Sequence, residues 1–212
     1  MKIDFVSDVA CPWCAVGLYS LEQALEKIGP AVPVELHFEP FELNPDMPSE
    51  GEDAIEHLSR KYGAAPAQLA TSRAALRERG AAVGFRFGER LRVWNTFDAH
   101  RLLYWAGEQG AERQRALKHA FLTAYHGNAE NIGAADVMLR LVADAGLDVE
   151  RARAILDGDT YAEEVRERER YWQGLGIQSV PAIVIDGRHL ISGGQPPEVF
   201  EKAIRQIAAT AG

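Results

Sequence analysis

The chain has 212 residues, 47% hydrophobic and 25% charged, and carries a formal net charge of −8. An acidic balance of this size offers no global field to hold phosphates, which excludes nucleic acid as a main partner. No apolar run approaches the ~20 residues of a membrane-spanning helix, so no membrane association is expected. The two cysteines exclude a disulfide-stapled secreted scaffold, and the length suffices for a substantial core in one or two domains.

The first predicted element is a strand over about residues 2–7, built on Ile3-Asp4-Phe5-Val6. Met1-Lys2 leads straight into it without a signal-peptide pattern, so the expected compartment is the cytoplasm. Cys11-Pro12-Trp13-Cys14 follows and contains both cysteines. Behind it, Leu18, Leu21, Leu25 and Ile28 mark one face of a helix that Gly29-Pro30 stops. A cysteine in the first turn of a helix meets unsatisfied backbone N–H groups and the positive end of the helix dipole. Both favour a thiolate, and in Cys-x-x-Cys motifs the thiol pKa falls from about 8.5 toward ~3.5–7.5. Pro12 suits this position because a first-turn N–H has no helical partner to lose. Cys11 is therefore the expected nucleophile and Cys14, one turn later, the resolving thiol.

Two plainer uses of this motif fit poorly. A structural zinc site needs about four ligands; there is no second Cys-x-x-Cys, and the histidines at 37, 57, 100, 119, 126 and 189 show no ligand-like pairing with the first. No metal is expected. A purely structural disulfide across so short a loop brings little unfolded-state entropy benefit.

Pro33 to Phe38 alternates apolar and polar residues and reads as a half-buried strand. The proline-studded run 39–48 reads as an irregular connection leaving the sheet. From about 51 to 173 the chain is predicted helical, in runs of 51–62, 66–80, 96–109, 112–126, 134–145, 148–157 and 160–173. In 112–126 the stripe is Leu117, Ala120, Phe121 and Ala124; in 134–145 it is Val137, Met138, Leu141, Val142 and Ala145. Asn95-Thr96-Phe97-Asp98 carries a helix-start signal with an acid in the first turn. The basic residues Arg86, Arg90 and Arg92 read as solvated surface. The sign-alternating run Glu163 to Arg170 reads as an exposed helix face. Gly84-Phe85-Arg86-Phe87-Gly88 belongs to no helix, and its phenylalanines fit core packing better than an apolar groove. Ala182 to Ile185, Asp186-Gly187 and Arg188 to Ile191 read as a hairpin with a two-residue type I′ turn. Gln195-Pro196-Pro197-Glu198 opens a last helix with Phe200, Ala203, Ile204 and Ile207 on one face, and the tail 208–212 is expected to fray.

The order is β-α-β, a long helical block, then β-β-α. For the ends to share one sheet, the helices must be inserted between them. The expected fold class is α/β, with a discontinuous sheet domain (1–48 and 174–212) and an all-helical domain (49–173).

At this level the chain resembles the DsbA-like branch of the thioredoxin superfamily over nearly its whole length. More narrowly it resembles the FrnE-type dithiol-disulfide oxidoreductases. The residues that carry this are Asp8-Val9-Ala10-Cys11-Pro12-Trp13-Cys14, Asn95-Thr96-Phe97-Asp98-Ala99-His100-Arg101, and Val180-Pro181-Ala182 through Ser192-Gly193-Gly194-Gln195. The resemblance implies a thioredoxin fold with an inserted helical domain and a cis Pro181 beside the nucleophile. It also implies that the backbone of Val180 pairs with an extended substrate. Pro12, Trp13, Val180 and Pro181 are the implied substrate-binding residues, with Trp13 as an apolar surface near the sulfur. In related folds a buried acid accepts the proton of the resolving thiol, and here Asp8 and Glu39 are the candidates.

The leading functional reading is a thiol-disulfide oxidoreductase or isomerase acting on protein or peptide cysteines. It uses no bound cofactor beyond the Cys11–Cys14 pair, with glutathione a possible electron donor or acceptor. A second reading comes from relatives of the same architecture, the kappa-class glutathione transferases and 2-hydroxychromene-2-carboxylate isomerases. They resemble this chain at Asn95-Thr96 and the Val180-Pro181 turn but typically carry serine where Cys11 stands. A third is a chaperone-like binding module whose thiols are incidental. Monomer and homodimer both remain open; a dimer would use the helical domain, leaving the active-site face free.

Overall fold

A computed structural model describes residues 1–210 of the protein. Strand β1 (Lys2–Ser7) leads into helix α1 (Pro12–Ile28), and β2 (Glu35–Pro40) follows a short 3-10 segment. A two-residue strand β3 (Glu52–Asp53) then opens the helical stretch: α2 (Ala54–Tyr62), α3 (Pro66–Ala82), the short strand β4 (Arg92–Val93), α4 (Phe97–Glu108) and α5 (Ala111–Leu122). After a π-helical turn at Thr123–Gly127 come α6 (Ala135–Asp144), α7 (Val149–Leu156) and α8 (Ala162–Gly174). The chain closes with β5 (Ala182–Ile185), β6 (His189–Ser192) and α9 (Pro197–Thr210).

The two ends of the chain form one sheet in the order β2-β1-β5-β6. β1 is parallel to β2 and antiparallel to β5, and β5 is antiparallel to β6. Alternation along the central strands divides the core, because successive side chains of a strand point to opposite faces. Ile3, Phe5, Ile183 and Ile185 join α1 and α9 residues such as Leu18, Leu21, Phe200 and Ile204 on one face. Val6, Ala182 and Val184 pack on the other against Trp172 and Ile177. A further cluster is almost wholly helical, with Leu102, Leu117, Phe121 and Ile155 at its centre, and takes in Val9 and Ala10 just before the motif. The chain leading to Cys11 is thereby anchored in both the sheet and the helices.

The edge strand β2 is held by a buried amide. Gln114 Oε1 accepts from the N–H of Phe38 at 3.3 Å, while its Nε2 donates to the carbonyls of Phe38 at 3.2 Å and Leu103 at 3.1 Å. Those backbone groups would otherwise be unpaired beside a helix, at a cost of about 1–3 kcal/mol each.

Several boundaries differ from the sequence expectation, each for a local reason. β2 begins at Glu35 rather than Pro33 and runs through Pro40, because the parallel register continues from Lys2↔Glu35 to Ser7↔Pro40. A proline is tolerated at the end of an edge strand. The helix expected from 51 begins at Ala54, since Asp53 caps it by accepting the N–H groups of Ile55 and Glu56. Gly51 precedes it at φ +66, with space for a Cβ closed by the Val93 carbonyl. In the β5–β6 hairpin Asp186 and Gly187 both have positive φ, as a type I′ turn requires. Ile185 nevertheless pairs with His189, so Arg188 joins the connection and lengthens it to three residues. Phe85 is buried against α1, with Phe87 edge-on to it at 4.7 Å, so this glycine-flanked segment packs in the core.

The run Glu163 to Arg170 is not a simple exposed face. Arg166 pairs with the buried Glu42 and with Glu169, and its guanidinium lies 3.9 Å from the ring centroid of Phe97. Arg168 donates to Glu39 at 2.8 Å. Burial pushes the Glu42 carboxyl up to about 8, helped by the adjacent Glu169 charge and opposed by Arg166. The folded protein therefore holds this proton above the ordinary carboxyl value of 4.5. The stabilising contribution of the neutral form is full at low pH and declines as pH rises from about 4.5 through about 8. Glu42→Gln, which keeps the shape without the charge, is expected to melt above the wild type at about pH 8.5 and to lose most of that advantage at about pH 5; thermal melts across this range test it.

Candidate active site

The site forms where β1 passes into α1. Cys11 is the N-terminal cap residue of α1, in an extended conformation, and Pro12 occupies the first helical position. Two backbone bonds fix the turn, Cys11 N–H to the Asp8 carbonyl at 3.2 Å and Cys14 N–H to the Cys11 carbonyl at 3.1 Å. Both cysteines are free thiols. Cys14 is fully buried, Cys11 is almost so, and Trp13 between them is 40% exposed.

The two thiols are driven in opposite directions. Cys11 is held below the ordinary thiol value, first by a hydrogen bond from the Cys14 thiol and then by the backbone N–H groups of Cys14 and Trp13. Burial and the Asp8 charge oppose this without reversing it. Cys14 is pushed well up by burial and by Cys11, against a downward pull from Lys118 and the backbone of Asp8. The pair thus presents one activated sulfur and one reserved beneath it, as stepwise exchange requires.

The chain returns to this point at residues 179–194. The Val180–Pro181 peptide is cis, and the Val180 carbonyl accepts from the Cys11 thiol at 3.4 Å. The approach depends on two glycines. A Cβ on Gly17 would stand 3.0 Å from Cγ of Pro181, and one on Gly194 would stand 2.9 Å from the Trp13 carbonyl oxygen. Gly194→Ala is expected to destabilise the fold by about 1–3 kcal/mol, since backbone must move to admit the methyl; denaturant melts measure this, with an unchanged midpoint as the contrary result.

Asp8 and Glu39 prove to lie in different surroundings. Asp8 is fully buried and accepts from the N–H groups of Ala10 at 3.0 Å and Leu43 at 2.7 Å, with His100 Nε2 at 3.3 Å. Burial alone would raise its carboxyl, but His100 and these N–H groups hold it below the usual range. Glu39 instead accepts from Arg168 at 2.8 Å and from the Trp172 indole at 2.9 Å. Of the two candidates, Asp8 is the one placed beside the thiols.

The segment Asn95 to Arg101 owes its pattern to this arrangement. Asn95, one residue before the N-cap Thr96, accepts the Phe97 N–H, His100 reaches Asp8, and Arg101 ties α4 to the carbonyls of Ile155, Gly158 and Thr160.

Three residues near the thiols were not anticipated from sequence. Lys118 of α5 is completely buried, its ammonium disfavoured by desolvation but supported by the charges of Cys14, Asp8 and Cys11. Arg90 is not solvated surface: it donates to the Ala10 carbonyl at 3.2 Å and lies 4.9 Å from the ring centroid of Tyr125. His126 donates from Nε2 to the Val9 carbonyl at 2.8 Å, and burial holds its ring neutral. A lysine that continues the stripe Gln114, Leu117, Phe121 was the available signal for Lys118, because a charge on the core side of a helix is rarely buried without a partner.

In front of Cys11 lies a cavity of about 590 Å³, walled by Pro12, Trp13, α2, α3, Arg90 and Val180. That is within the ~300–1,000 Å³ usual for ligand clefts. Among the described residues no group of His, Cys, Asp or Glu is placed to hold a metal ion, and no helix is long and apolar enough to cross a membrane.

A β-α-β unit and a β-β-α unit sharing one sheet, with a Cys-x-x-Cys at the start of the first helix and a long helical insertion between the units, define a thioredoxin-fold protein of the helically elaborated class. The particular family is shown by direct comparison. The DSBA-like thioredoxin domain family matches residues 2–205, and the chain belongs to it. The crystal structure of a probable DsbA oxidoreductase from Streptomyces coelicolor, 36% identical, superposes with a TM-score of 0.92 over 99% of this chain and 90% of that one. YwbO of Bacillus subtilis, described as an uncharacterized protein, is 29% identical over 207 residues, 96% of each chain. The cytosolic disulfide reductase DsbM from Pseudomonas aeruginosa, solved with GSH, shares the fold at a TM-score of 0.68 and 16% identity, over 99% of this chain and 100% of that one.

Proposed function

We propose that the protein is a thiol-disulfide oxidoreductase that exchanges disulfides with protein or peptide thiols through Cys11 and Cys14. The family and the Streptomyces neighbour support disulfide oxidoreductase chemistry in general. The observation that carries the specific reading is the split pair, a lowered Cys11 at the mouth of a cavity above a raised, buried Cys14.

The Cys11 thiolate attacks one sulfur of a substrate disulfide, and the other sulfur leaves as a thiolate that takes up a proton. Cys14 then loses its proton and attacks Cys11 Sγ, forming the Cys11–Cys14 disulfide and releasing the second substrate thiol. The substrate gains two electrons and the protein dithiol loses two; the reverse sequence oxidises a dithiol. In this reading Pro12 and Trp13 face the substrate, Val180 offers its backbone, and Pro181 holds that backbone against α1. Asp8 is the proton acceptor for Cys14, with Lys118 steadying both charges. Glutathione fits as an electron donor or acceptor, and the cytoplasm is the proposed compartment.

The test is a single turnover of reduced protein with a peptide disulfide. One disulfide is consumed per protein, the protein loses two hydrogens by intact mass, and Cys11→Ser is inert. A double serine variant that retains full holdase activity while the wild type shows no exchange would instead establish the redox-independent binding module.

A further inference from the structure

The cavity beside Cys11 is charged in one sense. Lys61, Arg73 and Arg90 line it and no Asp or Glu side chain does, in a chain with 31 acidic and 23 basic residues. None of the three cations forms an ion pair among the described residues. Lys61 donates to the neutral oxygens of Leu43 at 2.6 Å and Asn44 at 2.7 Å, and Arg90 to the Ala10 carbonyl. The carboxylate of Glu89 lines an adjoining, smaller crevice that shares Pro12, Arg73, Leu76 and Arg90 with the cavity, and it forms no ion pair with either arginine. Most arginines elsewhere are neutralised: Arg140, Arg166, Arg168, Arg170 and Arg205 all pair with carboxylates. Other cations also have no carboxylate partner among the described residues, Arg86, Arg113 and Arg188 for example, but Lys61, Arg73 and Arg90 share one cavity over an apolar floor that includes Leu58, Leu69 and Leu76.

We propose that this cavity selects peptide disulfides whose cystine is flanked by carboxylates. The inference rests on the oxidoreductase reading above and names the substrate class of that site. A wall of positive charge with no carboxylate partner, partly shielded from solvent, favours an anion twice. It attracts the acidic segment during encounter and pairs with it in the docked state. The overall charge of −8 works the other way, since it favours a basic peptide at long range. Acidic preference is therefore a local property of the groove, and the bulk field predicts its opposite.

The experiment uses the full-length reduced protein in single turnovers with three disulfide peptides of equal length, flanked by Glu, Gln or Lys. Each rate constant is divided by that of the same peptide with dithiothreitol, which removes intrinsic differences in disulfide reactivity. The expected order is Glu over Gln over Lys, with acidic over basic by about tenfold or more at low ionic strength. The ratio narrows as salt shortens the screening length from about 30 Å at 0.01 M to about 3 Å at 1 M. Arg73→Gln lowers the ratio and Arg73→Glu lowers it further. Arg73 is partly exposed on α3, so neither change should disturb folding. Equal rates, a basic preference, or an acidic preference untouched by Arg73→Glu overturns the inference while leaving the exchange chemistry intact. No reaction with any of the three peptides, with no Cys11–Cys14 disulfide formed, overturns the oxidoreductase reading itself.

Discussion

Cys14→Ser is expected to accumulate a mixed disulfide with substrate on Cys11, whereas Cys11→Ser is expected to accumulate none and to lose exchange to background. The difference follows from where the two sulfurs sit. Cys11 caps α1 and receives the Cys14 thiol and two backbone N–H groups, so its thiolate is present at lower pH than an ordinary cysteine's. Cys14 is buried beneath it and pushed the other way, so it cannot substitute as the first attacker. In the proposed exchange its task begins only when Cys11 carries substrate, and serine could not perform that second displacement. Non-reducing gels and intact mass after mixing with a peptide disulfide read both variants directly. The rate of Cys11 alkylation against pH should show its midpoint below the ordinary thiol value, and alkylation of Cys14 should lag at every pH. A mixed disulfide on Cys14 in the Cys11→Ser variant would invert the assignment of roles.

The second large effect is expected at Lys118. Its ammonium lies buried within electrostatic reach of Cys14, Asp8 and Cys11; desolvation holds its pKa below the ordinary lysine value, and those three groups oppose that fall. In return it pulls the Cys14 thiol down. Lys118→Met removes that pull without leaving a cavity, so Cys14 titrates higher and fewer molecules hold a resolving thiolate at neutral pH. Each unit of upward shift lowers the thiolate fraction tenfold, offset in part because a more basic thiolate is the better nucleophile. We expect resolution of the mixed disulfide to slow by about three- to tenfold at pH 7, and the deficit to shrink as pH rises. Formation of the mixed disulfide should change much less. A purely structural role would slow both steps together and leave the pH profile where it was. Stopped-flow measurement of the two steps separates these outcomes.

The contrast between these residues shows what sequence conveys here and what it withholds. Cys11, Pro12 and Cys14 are legible because the motif, the preceding strand and the following helix are contiguous, and local geometry fixes their relation. The sheet is legible for a similar reason: alternation in Ile3 to Val6 and Ala182 to Ile185 assigns each side chain a face. Asp8 and Glu39 look alike in sequence, each a carboxylate at a strand end. Only the fold gives Asp8 the Leu43 N–H and His100 and gives Glu39 to Arg168 and Trp172. Lys118 and Arg90 are the hardest to foresee. Lys118 faces charges about 100 positions away and Arg90 donates to a carbonyl 80 positions away, and local pattern assigns such residues to solvent by default. The same limit explains Arg166 and Arg168, which read as one side of an exposed helix and instead close over Glu42 and Glu39.

The most direct test of the central claim is the reduction potential of the Cys11/Cys14 pair, obtained by equilibration in glutathione buffers and read from the fluorescence of the adjacent, partly exposed Trp13. A reversible two-electron transition between about −270 and −120 mV is the predicted result, the range that separates a reductant such as thioredoxin from a strong oxidant such as DsbA. Absence of any reversible transition, with glutathione bound equally well by a Cys14→Ser variant, would contradict the account and favour a glutathione-dependent isomerase or transferase on the same fold.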